Sequence, residues 1–381
     1  MSKAGGGPPD RGHGPTDRGR GPEITAIQVQ AYRIPTDRPE ADGTLSWNAT
    51  TMVVVNVQAG GSSGLGYSYV DACAESFIRG RLGEVLQHRD SFDITGAWRA
   101  MQRAVRNDGR QGIAACAISA VDVALWDLKA RHLGVSVSTL LGRVRAEVPI
   151  YGSGGFTSYS DSELRDQLSG WVERDGCRWV KMKIGSAPER DPQRALVAKH
   201  AIGDRKLFVD ANGAFSVKQA LRFLSEAAEA DLRWFEEPVT SDDTQGLRVL
   251  RERCLDRIDI AAGEYTYTLD DARRLLEAGA VDVLQADVTR CCGITGFLQV
   301  SALCEAHHLD ISGHCAPALH CALGCALPRL RHLEWFHDHV RIEHMLLDGA
   351  PRPREGAIRP DLSRPGLGLE FKVRDAEHFV V

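Results

Sequence analysis

From about Glu147 onward, short apolar segments alternate with amphipathic stretches, and this rhythm constrains the fold more than any other feature of the chain. The apolar segments fall at 148–151, 179–184, 206–209, 232–235, 258–261, 281–285, 309–312 and 333–336. Eight short strands separated mostly by helices read as βα units, and that number is enough to close a parallel barrel. At 381 residues the chain has room for such a barrel and a second domain sharing its core.

Upstream the pattern is different. Residues 23–36 and 51–58 alternate apolar and polar side chains as half-buried strands do. The polar stretch 37–50 between them reads as a loop holding Trp47, and 60–66 as a glycine-rich turn. From 75 to 141 the spacing turns helical, most clearly over 114–132. Antiparallel strands followed by helices suggest a compact α+β domain. Residues 343–381 hold no further βα unit and end in a strand-like segment, which is expected to return to that domain. The expected division is a disordered tail at 1–22, an α+β capping domain at 23–146, the barrel at 147–342 and a returning C-terminal segment at 343–381.

Composition narrows the partners. A net charge of −5 leaves no basic surplus for phosphate backbones, which argues against nucleic acid. No apolar run is long enough to cross a membrane as a helix. The first residues are rich in Gly, Pro, Arg and Asp without an apolar core, so they read as a tail and not as a secretory signal. The 10 cysteines form no CxxC pair and read as small buried hydrophobes in a reducing, cytoplasmic setting.

The functional signal lies at the ends of the strands. The second to eighth strands end on Lys181 and Lys183, Asp210, Glu236, Glu264, Asp287, His314 and Glu334. Successive positions lie 20 (314 to 334) to 28 (236 to 264) residues apart, one per βα unit. In a (β/α) barrel the C-terminal strand ends converge on one mouth, so these side chains should face one another. A single acid at a strand end is usually a helix cap or a solvated charge. Three in register, Asp210, Glu236 and Glu264, would repel one another strongly unless a hard divalent cation such as Mg²⁺ sat among them.

Lys181 and Lys183 share one face of their strand. Alone, such a pair could be two surface lysines. Beside a cation their protons should be lost more easily, which suits Lys183 as a general base. Asp287 precedes His314 by one barrel unit and can fix its tautomer. Glu334 reads either as a protonated acid hydrogen-bonded to a developing enolate oxygen or as a partner for an arginine. Bases on the second and seventh strands can approach the two faces of one planar enediolate, the species left when a carboxylate loses its α-proton.

The motifs KMKIG (181–185), VDANG (209–213), WFEEP (234–238), AGE (262–264), QAD (285–287), GITG (293–296), His314 and Leu333-Glu334 occur in an order that resembles the mandelate racemase group of the enolase superfamily. So does AVDVALWDLKA (120–130) in the expected cap, and the resemblance spans about 23–369. It implies a modified TIM barrel of (β/α)7β type under an α+β cap built from both termini. It also implies one Mg²⁺ per subunit on Asp210, Glu236 and Glu264, with Glu237 left outside the ligand set, and a homo-oligomeric assembly. By the same resemblance Lys183 is one acid/base and Lys181 contacts the substrate carboxylate. His314 with Asp287 is the other acid/base, Glu334 the enolate-side donor, and Asn212 a substrate contact.

One departure is Cys291-Cys292, where a glycine-containing turn is usual; it could alter the sixth-strand loop without touching the dyad. Asp287 stands where cycloisomerases and succinylbenzoate synthases would show lysine, which argues against both branches. The same residue set serves loss of water from an acid sugar or racemisation and epimerisation of an α-hydroxy acid. The polar 37–50 stretch, with Trp47, and Tyr69 nearby, suits a polyhydroxylated small-molecule carboxylate, although loops are commonly polar. A lyase acting on an aldonate or aldarate is the favoured expectation. A binding protein on an inactive barrel and a metal-dependent aldolase or hydrolase are the alternatives from other classes.

Overall fold

The computed structural model of the protein describes residues 19–381; the expected tail at 1–18 lies outside the described residues. The remainder of that expected tail is tied down. The Gly21 N–H donates to Asp90 Oδ1 at 2.8 Å, and Pro22 O accepts from Ser91 N at 3.1 Å.

Three antiparallel strands open the cap: β1 (Ile24–Ala41), β2 (Ser46–Ala59) and β3 (Ser62–Tyr69). The polar stretch expected as a loop at 37–50 is instead the far end of a long hairpin, with Glu40 paired to Trp47 and Ala41 to Ser46. Only 42–45 turns. Asp42 Oδ1 accepts from Thr44 N at 2.6 Å and Leu45 N at 2.7 Å, which closes the turn on its own side chain. Polarity misled because this arm reaches past the cap core and needs no apolar face to pair its backbone.

The glycine-rich stretch is likewise mostly strand. Gly60 and Gly61 form the turn, and β3 begins at Ser62. Gly66 lies so near the helix Ile113–His132 that a Cβ there would sit 2.1 Å from Ala120 O. That helix is buried on nearly every side, between the cap sheet and the barrel, which explains its near-continuous apolar sequence. Its two aspartates are joints. Asp127 accepts from Leu65 N at 2.7 Å and Leu367 N at 2.6 Å, and Asp122 accepts from Thr295 N at 2.8 Å.

The barrel follows: β4 (Val148–Gly154), β5 (Trp179–Lys183), β6 (Lys206–Asp210), β7 (Leu232–Glu236), β8 (Asp259–Ala262), β9 (Val283–Ala286), β10 (Asp310–Gly313) and β11 (Leu330–Phe336). Each strand runs parallel to the next, and β11 returns to pair with β4, closing eight strands in chain order. Seven helices link them, the (β/α)7β order, and the helix His337–Leu346 comes after the last strand. Alternation along each strand sorts the side chains. Val180, Met182, Val209, Phe235 and Ile260 join the core beneath the helices, whereas Tyr151, Phe208, Trp234 and Val283 fill the interior. Phe208 and Trp234 stack at 5.3 Å, so the barrel is plugged below its mouth.

The C-terminal segment returns to the cap but does not end as a strand. β12 (Leu347–Asp348) pairs with β14 (Glu370–Phe371), and β13 (Ala357–Ile358) runs antiparallel to β4. The last residues form the helical turns Val373–Ala376 and Glu377–Phe379; Val381 N then donates to Ala31 O of β1 at 3.2 Å. Among the described residues no helix is long and apolar enough to cross a membrane.

Candidate active site at the barrel mouth

The alternation that sends Val180 and Met182 outward sends Lys181 and Lys183 into the barrel, where both are buried. On the next strands the same parity brings Asp210 and Glu236 to the top of the interior, and Glu264 follows just past β8. Gly263 permits that last placement: its φ is +131°, and a Cβ would meet Gln285 O at 2.6 Å. Asp210, Glu236 and Glu264 are buried, and each offers a carboxylate oxygen within 4.8 Å of the others. Glu264 Oε2 is buried without a hydrogen-bond partner. An all-oxygen, carboxylate donor set of this kind fits a hard divalent cation.

Lys181 Nζ contacts Glu236 Oε1 at 2.5 Å, Glu334 Oε1 at 2.7 Å and Asp210 Oδ2 at 3.3 Å. Lys183 Nζ donates to Asp210 Oδ2 at 2.6 Å and Asn212 Oδ1 at 3.0 Å. Burial alone would strip these ammonium groups of their protons. The surrounding carboxylates outweigh it, Glu236 and Glu334 for Lys181 and Asp210 for Lys183, and hold both above the usual lysine range. The easier loss expected of these protons applies to lysines beside a cation; with the carboxylates alone, the anions dominate the local field. Asp210 shows the complement: burial pushes its carboxyl up, but Lys183 and Lys181 overcome that and bring it down to about 2.

His314 follows β10, with Nδ1 2.8 Å from Asp287 Oδ2. Asp287 Oδ1 accepts from Thr289 N and Thr289 Oγ1, each at 2.7 Å. Burial would raise the Asp287 carboxyl; its bond to His314 and the charges of His314 and Arg290 hold it well below the usual range. With Nδ1 facing Asp287, the other nitrogen, Nε2, lies 3.4 Å from Glu264 Oε2 and 3.6 Å from Glu334 Oε2.

Among the described residues Glu334 pairs with Lys181 at 2.7 Å and not with an arginine. Burial favours its neutral form, yet Lys181, His314 and Lys183 together hold it ionised. It also accepts from Ser153 Oγ at 2.6 Å and Cys315 N at 3.0 Å.

Three residues at the mouth carried no clear signal in the sequence. Arg290 Nη1 donates to Glu264 Oε1 at 3.1 Å, and its Nε lies 3.6 Å from Asp287 Oδ2. The sixth-strand loop thus reaches the dyad through Thr289 and Arg290, while the Cys291 and Cys292 side chains contact Gly293 O and Tyr267 O instead. Cys315 is the exception to chemically silent cysteines: its Sγ lies 3.4 Å from both His314 Nε2 and Glu334 Oε2. His339 stacks on Tyr69 with ring centroids 3.5 Å apart. Arg290 and Cys315 each sit within three residues of a strand-end polar group, the one cue that could have found them.

A cavity of about 430 Å³ opens over these groups, lined by Lys183, Glu264, His314 and Glu334 below and by the β1–β2 arm above. Asn212, Trp47 and Tyr69, expected to contact substrate, all line it. Trp47 donates its indole N–H to Glu40 Oε2 at 2.8 Å, so its ring is fixed. The Tyr69 hydroxyl stands beside the Glu343 carboxylate, whose oxygens accept from Tyr67 and from Ala318 N. A larger cleft of about 870 Å³ beside the mouth shares Asn212 and Tyr265 with it but contains neither Lys183 nor His314.

Comparison with known proteins gives the family. Residues 25–142 match the mandelate racemase / muconate lactonizing enzyme N-terminal domain, and residues 163–376 match the enolase C-terminal domain-like family. A mandelate racemase/muconate lactonizing enzyme-like protein from Rubrobacter xylanophilus is 49% identical with a TM-score of 0.92, covering 94% of this chain and all of that one. The 3,6-anhydro-α-L-galactonate cycloisomerase of Streptomyces coelicolor is 30% identical over 92% of this chain and 98% of its own length. The L-talarate/galactarate dehydratase of Salmonella typhimurium LT2 is 31% identical over 76% of this chain and 74% of its own. Its structure with magnesium and L-lyxarohydroxamate has a TM-score of 0.87 at 26% identity, covering 97% of this chain and 95% of that one. The chain belongs to the mandelate racemase/muconate lactonizing enzyme group of the enolase superfamily. Similarity to a cycloisomerase at this level means that Asp287 alone does not remove cycloisomerisation from the candidate reactions.

Proposed function

We propose that this member of the mandelate racemase/muconate lactonizing enzyme group is a Mg²⁺-dependent acid-sugar dehydratase, converting an aldonate or aldarate to a 2-keto-3-deoxy acid. The observation that carries the reading is the grouping of three buried carboxylates, a buried lysine and an Asp–His dyad around one cavity. Asp210, Glu236 and Glu264 would hold the cation. Bound there, it supplies positive charge that stabilises the enediolate and offsets the carboxylates that now keep the lysines protonated.

The rest of the chemistry belongs to side chains. Lys183 Nζ and His314 Nε2 come from strands on different sides of the mouth. One takes the proton from C2, leaving the C–H electron pair in an enediolate. The other protonates the C3 hydroxyl, the C3–O bond breaks, and water leaves. The enol so formed takes a proton at C3 and gives up the proton of its C2 hydroxyl, which yields the 2-keto-3-deoxy acid. Asp287 keeps Nδ1 of His314 occupied, so that Nε2 is the atom that exchanges protons. Glu334 is ionised in the protein alone and becomes a donor to the enediolate only by taking a proton, for which Lys181 at 2.7 Å is the adjacent source. Asn212 holds Lys183 from the side, and Trp47 and Tyr69 close the cavity over the reacting carbon.

Racemisation or epimerisation uses the same two bases with no leaving group, and is the second outcome. A screen of Mg²⁺-loaded protein against mono- and diacid sugars, with keto product trapped as the semicarbazone, tests the proposal. A 2-keto-3-deoxy product supports it. Exchange of the α-proton with solvent and no keto product would replace it by racemisation or epimerisation, and absence of any α-proton exchange would remove it.

A further inference from the structure

The cavity is unevenly charged, and that bears on which acid it takes. Its lysine and arginine, Lys183 and Arg290, both stand on the barrel, as does His314. The arm and strand ends of the cap contribute Asp42, Leu45, Trp47, Thr50, Val70 and Asp71, and no lysine or arginine of the described cap residues lines the cavity. Among the described residues, the arginines flanking the arm are committed elsewhere. Arg38 is paired with Glu163, and Arg341 donates to Asp338 Oδ1 at 2.6 Å and to Pro35 O at 2.7 Å. Arg33 stands beside Asp71 without lining the cavity. His339, the cap-facing imidazole, accepts from Ala316 N on Nδ1 at 3.2 Å, the mode of a neutral ring. Arg290 cannot serve the far end either, because it is held to Glu264 at 3.1 Å and lies 3.6 Å from Asp287.

A substrate with its reacting carboxylate among the barrel residues sends its other end toward the cap. There a second carboxylate would meet Asp42 and Asp71 and lose its water without gaining a cation, which is costly. A hydroxyl would meet Thr50, and a carbon chain would meet Leu45, Trp47 and Val70. We infer that the mouth selects a substrate with a single carboxylate and a neutral far end, an aldonate-type monoacid and not an aldarate. This rests on the proposed dehydration for the orientation of the acid, and sharpens it to one of the two substrate classes.

The test uses matched pairs, gluconate with glucarate and galactonate with galactarate, on the full chain with Mg²⁺. Dissociation constants from calorimetry are measured beside α-proton exchange in D₂O. The monoacid of at least one pair should bind about 10-fold or more tightly than its diacid. Leu45→Arg, at an exposed turn position where folding is not at risk, should narrow that ratio several-fold by offering the missing cation. Diacid binding equal to or tighter than monoacid binding in the unaltered protein overturns the inference, as does a ratio that Leu45→Arg leaves unchanged. Exchange confined to diacids overturns it while leaving dehydration standing. Selective monoacid binding without exchange supports it and removes the proposed reaction instead. Failure of every acid to bind overturns both.

Discussion

Asp287 Oδ2 lies 2.8 Å from His314 Nδ1, each residue standing just past the end of its own barrel strand, β9 for the acid and β10 for the base. The pairing turns an ordinary buried histidine into one with a defined acceptor on Nδ1 and its second nitrogen, Nε2, turned toward Glu264, Glu334 and Cys315 at the cavity. Because Thr289 occupies the other Asp287 oxygen, the carboxylate has little freedom to rotate away. Asp287→Asn should keep the fold but disturb the tautomer, lowering kcat by roughly 10²–10⁴ with KM little changed. Steady-state kinetics beside circular dichroism checks this; an active Asn variant would show that the dyad does not set the proton chemistry.

Metal binding should register as stability. Three buried carboxylates within 4.8 Å of one another gain from a dication that the unfolded chain cannot hold. At Mg²⁺ about 100-fold above its Kd the gain is about 2.7 kcal/mol, a rise in Tm of roughly 3 °C for a chain this long. Glu264→Gln should remove most of that rise in differential scanning calorimetry. A full Mg²⁺ response in the variant would place the ion elsewhere.

Removing the Trp47 ring should act on binding more than on proton transfer. It lines the cavity from the cap and is fixed by Glu40, but touches neither Lys183 nor His314 by hydrogen bond. Trp47→Ala should raise KM by about 10-fold with a smaller change in kcat. Substrate-saturation curves decide it, and a collapse of kcat at unchanged KM would contradict the assignment.

Stability against pH has a sign that Glu343 fixes. It is buried where the cap meets the barrel, and burial pushes its carboxyl up to about 8, against hydrogen bonds from Tyr67 and Ala318 N. A pKa raised in the folded state favours folding below the unfolded value. That contribution is then lost as pH climbs through the folded one. The Tm should accordingly fall between about pH 4.5 and 8 from this group, and Glu343→Gln should flatten the slope over that window. An equal slope in the variant would assign the pH dependence to other groups.

The barrel was legible because its signal is periodic: every strand expected between 148 and 336 is present, with ends shifted by a few residues. The strand-end groups were legible for the same reason, since parity along β5, β6 and β7 sends Lys181, Lys183, Asp210 and Glu236 inward. What stayed hidden depends on tertiary surroundings. The β1–β2 arm is polar because it projects over the mouth, so its strand pairing left no apolar alternation to read. The ionised state of Glu334 follows from Lys181 lying 2.7 Å away across the barrel, a distance that spacing along the chain does not contain. Arg290 and Cys315 reach the site from loops, where no period marks a residue as facing inward.

The account stands most directly on two bases serving one α-carbon. The deciding measurement is deuterium incorporation at C2, followed with keto-acid formation, for the Mg²⁺-loaded protein and for Lys183→Ala and His314→Ala on the best monoacid found. The unaltered protein should form the 2-keto-3-deoxy product, and each variant should lose product formation by about 10³-fold or more while remaining folded. Product formed at an undiminished rate by either variant would contradict the paired roles of Lys183 and His314.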